Sequence, residues 1–380
     1  MSRCRFSLRV FGCTLLAAYL LGIAGCGPEE PRSEPYETQR PSYSGSSAEL
    51  SQTIVVGTLD EQIPNNKNAI WCASFQLAWN KLKDDIIKAP VELDAGAEFA
   101  DRLNRSEVTE QDLPEEGSYA AAGWVKDGVL DTIRREMLDR FQRTPRIEVA
   151  TPQTAFTAYA FLTAHLRFAI PYFESRAPLM FTDSAGNKVA VSSFGIRAED
   201  TDAYFALRDQ TEVLFANGES GTPQHEFAID PCKTSSPNQL VIARVHPRDS
   251  LSDTIRYVQE QTDAFPQEDY YRSIGPTDEL LIPSMNWEIE HHFDKLEGAC
   301  FLNRGFEDYF IQAALQDIKF RLDRSGVELE SEAAIPAASD PRLFILDRPF
   351  MVLMKHRDGQ RPFFVMWVDN AELVSKPKQP

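Results

Sequence analysis

Apolar residues recur at two different intervals along this chain, and the interval changes near residue 150. In "NAIWCASFQLAWNKLKDDII" (68–87), Trp71, Phe75, Ala78, Leu82 and Ile86 fall at helical spacing, which predicts a helix with one buried face. "DGVLDTIRREMLDRFQ" (127–142) repeats the pattern through Val129, Ile133, Met137 and Phe141, with Asp127 as its N-cap. Stripes of this kind are read as core rather than as cofactor contacts. Downstream the period shortens to two. "QTAFTAYAFLTAHLRFAI" predicts a buried strand, and "APLMFTDSAGNKVAVSSFGI" predicts two strands around an Asp-Ser-Ala-Gly turn. "NQLVIARVHP" is a strand, followed by a helix in "DSLSDTIRYVQEQT", where Ser250 and Asp253 fit a capping box. "LLIPSMNWEI" alternates as a strand through Leu281, Pro283, Met285, Trp287 and Ile289. "FDKLEGACF" reads as a short helix and "DIKFRL" as a strand. "PFMVLMKHRDGQRPFFVMWVDN" carries two apolar strands around Asp358-Gly359, a hairpin signal. Helices early and antiparallel strands late predict an α+β fold.

One stretch does not settle into either period. In "GVELESEAAIPAASDPRLFILDRPF" (326–350), Val327, Leu329, Ser331, Ala333 and Ile335 alternate with Glu328, Glu330 and Glu332. The pattern then dissolves around Pro336 and Pro341 before a second strand begins. It predicts an exposed loop that carries half a strand.

The bulk numbers set the frame. At 380 residues and 43% hydrophobic, the chain can bury a large core. A net charge of −18 and pI near 4.8 argue against a nucleic-acid partner. Residues 1–25 read as a signal segment: Arg3, Arg5 and Arg9 precede "VFGCTLLAAYLLGIAG", too short and Gly-marked for a comfortable membrane span. "IAGC" resembles a bacterial lipobox, with lipid expected on Cys26; an ordinary signal peptide with an incidental cysteine is the other reading. By the sorting rules of that lipoprotein class, Gly27 points to the outer membrane. The expected location is therefore the cell envelope, with the membrane held through lipid on Cys26. Residues 26–51 are Pro-, Ser- and Glu-rich and read as a flexible tether, leaving one domain over 52–375. Beyond Cys26, Cys72, Cys232 and Cys300 allow one disulfide with one thiol left over.

Catalytic motifs are sparse. There is no P-loop, no dinucleotide fingerprint and no Gly-x-Ser-x-Gly elbow. His291 and His292 in "EIEHH" point to opposite faces of a strand, a poor start for a shared metal. His165 reads as a hydrogen-bonded core histidine and His246 as a strand-end residue. No enzyme, cofactor or metal is expected.

The order of segments from residue 150 onward resembles the serpin family. "KFRLDRSGVELESEAA" (319–334) is similar to that family's strand, acidic turn and reactive-loop hinge, with Gly326 and Glu328 at the hinge Gly and Glu and Val327 between them. "DRPFMVLMKHRDGQRPFFVMWVDN" is similar to its closing hairpin, where Pro349, Phe350, Phe364 and Val368 match and Trp367 replaces a glycine. "LLIPSMNWEIEHHFDKLEGACF" and "NQLVIARVHPRDSLSDTI" resemble further elements, Met285 standing for a phenylalanine. The first hundred residues match poorly beyond Asn68, so the N-terminal half is shortened or atypical.

The resemblance implies an α+β fold with helices clustered N-terminally, a large mixed central sheet, and a smaller C-terminal sheet or barrel. It also implies an inhibitor of serine-type or cysteine endopeptidases, most simply a monomer, whose reactive loop spans 326–348. Counting from Gly326 places the cleaved bond at Asp340–Pro341, although proline after that bond makes a poor substrate. Ala337–Ala338 is the alternative target and suits an elastase-like protease. Leu329, Glu330 and Glu332 stand where the family has small residues, so slow insertion would make the loop a substrate rather than a trap. A non-inhibitory scaffold is therefore the second reading. An unrelated envelope enzyme or binding protein is the third, and it requires that no large sheet lie beside 318–335.

Overall fold

The alternation at 317–322 belongs to a longer strand, β15 (Phe310–Leu322), in the middle of a five-stranded sheet. The computed structural model describes residues 41–147, 153–165, 168–197, 204–219, 221–233, 237–325 and 340–377. Beside β15 run β14 (Met285–His292) and β5 (Ala155–His165), with β1 (Tyr43–Ser46) and β4 (Ser118–Trp124) outermost. The chain thus has the large mixed sheet next to residue 318 that the third reading excluded.

Strand β1 shows that the fold reaches into the stretch assigned to the tether. Tyr43 to Ser46 pair in parallel with Trp287 to Glu290, and Ser42 N–H donates to Asn286 O at 2.6 Å. Composition favours a solvated tether here. The backbone of β14 nevertheless offers unpaired groups that β1 satisfies.

The second sheet orders β10 (Glu212–Asn217), β11 (Glu226–Asp230), β12 (Asn238–Arg244), β17 (Phe350–His356), β18 (Pro362–Val368), β3 (Asn68–Cys72) and β2 (Thr53–Val55). Here β3 corrects the helix expected from residue 68. Its five residues are all buried and pair with β18 from Ala69↔Trp367 to Cys72↔Phe364. A strand covered on both faces loses its alternation, so periodicity alone misreads it. The helix, α1 (Ala73–Asn80), starts only where β3 ends and continues as a wider helical turn over Lys81–Ile87.

A third sheet joins β16 (Leu343–Ile345), β13 (Glu279–Pro283), β9 (Ser193–Ile196) and β6 (Phe173–Glu174). Strands β7 (Leu179–Thr182) and β8 (Lys188–Val191) form the hairpin around Asp183. "LLIPSMNWEI" is therefore two strands: the chain leaves the third sheet after Pro283 and enters the first at Met285. "FDKLEGACF" forms turns rather than a helix.

Five further helices lie among the described residues: α2 (Ala97–Asn104), α3 (Val129–Phe141), α4 (Tyr204–Gln210), α5 (Leu251–Ala264) and α6 (Asp269–Arg272). Ser250 caps α5 as expected, its hydroxyl accepting from Asp253 N–H at 3.1 Å. Asp127 does not cap α3. Gly128, at φ 79°, takes that place because the chain turns there through the left-handed region that glycine tolerates. The apolar stripe of α3 holds: Val129, Ile133 and Met137 pack on Tyr159, Phe161, Ala313 and Leu315 of the five-stranded sheet. Helix α1 covers the opposite face of that sheet, with Phe75 against Phe293 at 3.8 Å between ring centres. Cys72, Cys232 and Cys300 are all free thiols, the first two buried.

Candidate functional site: the parallel seam of the central sheet

Strand β15 runs parallel to β5 along eleven register pairs, from Phe310↔Ala155 to Arg321↔His165. Their outer partners are antiparallel, β14 to β15 and β4 to β5. Because β5 and β15 point the same way, a strand placed between them in the opposite direction would be antiparallel to both. It would replace one parallel ladder with two antiparallel ones, which are slightly more stable per residue.

Different side chains hold the two faces of this seam. On the α3 face, the Tyr159 hydroxyl on β5 donates to Asp317 Oδ2 on β15 at 2.7 Å. Arg143, just beyond α3, lies 5.6 Å from the Phe161 ring of β5 and donates to Glu288 Oε2 on β14 at 2.9 Å. Lys319 approaches the other oxygen of Glu288 at 2.9 Å. Burial works against the Glu288 charge, but the hydrogen bonds from Arg143 and Lys319 hold its carboxyl below the usual range. Burial pushes Asp317 up to about 6; the Tyr159 hydroxyl pulls it down, Glu290 pushes it up, and Arg143 and Glu288 add smaller opposing effects.

On the α1 face, Gln316 Nε2 of β15 donates to Ser74 Oγ at 2.9 Å and to Cys72 O at 3.3 Å. Two buried atoms along the seam, Thr157 Oγ1 and Gln316 Oε1, have no hydrogen-bond partner among the described residues. Leaving such a group unmet costs roughly 1–3 kcal/mol. The seam is thus closed with part of its polar inventory unsatisfied.

Where β15 ends, Arg321, Asp323 and Ser325 form a compact turn. Arg321 Nε reaches Asp323 Oδ2 at 2.5 Å, and the Ser325 hydroxyl bonds the other Asp323 oxygen. Arg324 Nε donates to Tyr172 O at 2.9 Å, fastening this corner to the chain that follows β5. The described chain therefore reaches Ser325 at this end of the seam. It resumes at Asp340, which is exposed, and Pro341, whose carbonyl accepts from Gly221 N–H at 2.7 Å. Arg342 then binds both oxygens of the buried Asp278, its backbone N–H donating to Oδ1 at 2.7 Å and its Nη2 to Oδ2 at 2.7 Å.

Gly326, Val327, Glu328, Ala337 and Ala338 lie outside the described residues, as does Cys26. Asp340 and Pro341 sit at the fixed root of β16 rather than at the tip of a loop. His291 and His292 serve the fold. His291 Nδ1 meets Ser47 Oγ at 2.8 Å, and burial together with His292 pushes its imidazole down to about 4. His292 meets Glu297 at 3.0 Å. No group of three or more metal-ligating side chains gathers among the described residues. His165 ends β5 half-buried opposite Arg321, and His246 is exposed just beyond β12. Sequence reasoning passed over Tyr159, Asp317 and Arg143, and met Glu288 only as part of "EIEHH". For Asp317 the signal was present in "LQDIKFRL", where Asp317, Lys319 and Arg321 repeat every second residue on one strand face.

No protein-family model and no curated protein matches this chain. Among solved structures it is similar to native protease nexin-1 with heparin, at 10% identity and a TM-score of 0.47 over 80% of this chain and 92% of that one. It is similar to Manduca sexta serpin-12 at 9% identity and a TM-score of 0.48, over 80% and 92%. It is also similar to the thermophilic serpin tengpin in its native state, at 10% identity and a TM-score of 0.48, over 84% and 97%.

Proposed function

We propose that this protein is a serpin-type protease inhibitor of the cell envelope, anchored through lipid on Cys26. In this reading residues 326–339 act as the strand that enters the β5–β15 seam after cleavage. The observation that carries it is the parallel pairing of β5 and β15, joined to the turn at Asp323–Ser325 that closes β15 at the end of that seam. A chain reversing at Asp323–Ser325 would run back antiparallel to β15 and therefore to β5 as well. The fourteen residues 326–339, if extended at about 3.3 Å each, would match the thirteen of β15 in length. The fixed carbonyl of Pro341 disfavours attack at Asp340–Pro341, because a protease must draw residues on both sides of the bond into its cleft. Ala337–Ala338 is the better target and suits a protease that prefers small side chains.

A specific observation supports the non-inhibitory reading beside it. With Val327 and Leu329 turned to the core, Glu328, Glu330 and Glu332 would join a sheet face that already holds Glu288, Glu290 and Asp317. Arg143 and Lys319 are the cations that meet this acidic group. Excess negative charge on one face slows insertion, and a slow strand lets the protease finish hydrolysis.

The two readings separate on incubation with an elastase-like protease. A detergent-stable complex together with a large rise in melting temperature after cleavage supports the inhibitor. Clean nicking with an unchanged melting temperature leaves the scaffold.

A further inference from the structure

The groups that cross the β5–β15 seam do not respond equally to pH. Asp317 is partly buried on β15, and its hydrogen-bond donor, Tyr159, belongs to the opposite strand. Its cross-strand neighbour on β14 is Glu290, and Glu288 sits two pairs further along, opposite Lys319. The charged and titratable groups facing it come from every element around it. From β14 come Glu288 and Glu290, the latter 3.7 Å from His292. From β15 comes Lys319, and from the chain after α3 comes Arg143. Tyr119 of β4 stands behind Tyr159 at 6.3 Å between ring centres, with Glu136, Arg140 and Arg135 of α3 acting on it. Arg143 and Lys319 are both engaged by Glu288, so neither closes directly on Asp317.

We infer that this seam is a pH-responsive joint: a proton on Asp317 locks β5 against β15, and losing that proton primes the seam to open. The physical basis is linkage. In the closed seam Asp317 holds its proton up to about pH 6, because burial and the Glu290 charge disfavour the carboxylate. Opening the seam exposes the carboxyl to water and returns it toward the ordinary aspartate value of about 4. The closed form therefore binds the proton more tightly than the open form. Acid favours closure, and the advantage fades as pH rises through 6. Between pH 5 and 7.5 the opening equilibrium should rise roughly tenfold. Tyr159 bonds the carboxylate across the seam and limits the effect, so removing its hydroxyl should enlarge it.

The joint is a property of the closed sheet and does not depend on insertion of residues 326–339. If those residues do insert, the same joint would set how readily they enter, faster at neutral pH than in acid.

Hydrogen exchange on the full mature chain tests the joint without any protease. Protection factors for β5 and β15 amides, taken against β12 and β17 amides as reference, should fall about tenfold from pH 5 to 7.5. Asp317→Asn, close in shape and still able to accept from Tyr159, should abolish that pH response. Tyr159→Phe should keep its direction and make it steeper. His292→Gln should leave it intact, which separates Asp317 from the histidine beside Glu290. An unchanged response in Asp317→Asn, a response of opposite sign, or its loss in His292→Gln would each overturn the inference. A protein that is only nicked by proteases but shows this response would retain the joint and lose the inhibitor reading.

Discussion

Arg143 donates to Glu288 across the line where β5 meets β15, with the Nη2–Oε2 distance at 2.9 Å. Arg143 also lies over Phe161 on the β5 side, while Glu288 belongs to β14 on the other. The ion pair therefore ties together the two halves of the sheet that a new strand would have to part. Arg143→Ala should weaken global stability by about 1 kcal/mol, a modest value because the pair is partly solvated. Its larger effect should be faster amide exchange along β5 and β15. Urea titration and exchange on the same sample would measure both.

The same pair gives stability a second pH dependence. The Glu288 carboxyl sits below its usual range, so its contribution is complete above about pH 4.5 and is lost on further acidification. Asp317 works in the opposite sense, contributing most below about pH 4 and least above 6. Glu288→Gln should therefore flatten the acid limb of a melting-temperature profile and leave the change between pH 5 and 7 in place.

Thr157 is fully buried on β5, and its hydroxyl has no partner among the described residues. Thr157→Val keeps the shape and removes the unmet group, so it should stabilise the closed form by about 1 kcal/mol. A drop in melting temperature would show that the hydroxyl has an acceptor after all.

Arg342 fastens the return of the 326–339 segment to Asp278, which is only 4% exposed. Arg342→Ala leaves that carboxylate buried without its main cation and should cost about 2–3 kcal/mol. Cleavage near Asp340 should accelerate because the root of β16 is released. Time courses of limited proteolysis with mass-spectrometric mapping would show the new site.

Under the proposed inhibitor reading, the composition of residues 326–339 governs how fast that segment inserts. Replacing Leu329, Glu330 and Glu332 together by alanine removes bulk and two negative charges from the strand that would insert. Under the inhibitor reading, the fraction of protease trapped in a stable complex should increase severalfold over the natural chain. If the triple variant is nicked as cleanly as before, hinge composition is not what limits trapping.

Much of this architecture is legible in the sequence wherever local chemistry and tertiary environment ask for the same thing. Asp358-Gly359 set the turn between β17 and β18, and Ser250 set the start of α5. The helical stripe of Val129, Ile133 and Met137 found its core. The α+β class and the strand before residue 326 followed from periodicity and from the family resemblance.

Only the folded chain decided the rest, because the deciding partner is distant in sequence. Residues 68–72 share a helical spacing with residues 73–87, yet burial on both faces and pairing with β18 make them a strand. "LLIPSMNWEI" alternates without a break, yet its two halves belong to different sheets. Tyr43 to Ser46 become a strand through β14, more than two hundred residues away. The seam itself is such a case. Sequence shows that β5 and β15 are strands, but only assembly places Tyr159 against Asp317 and makes that contact sensitive to a proton.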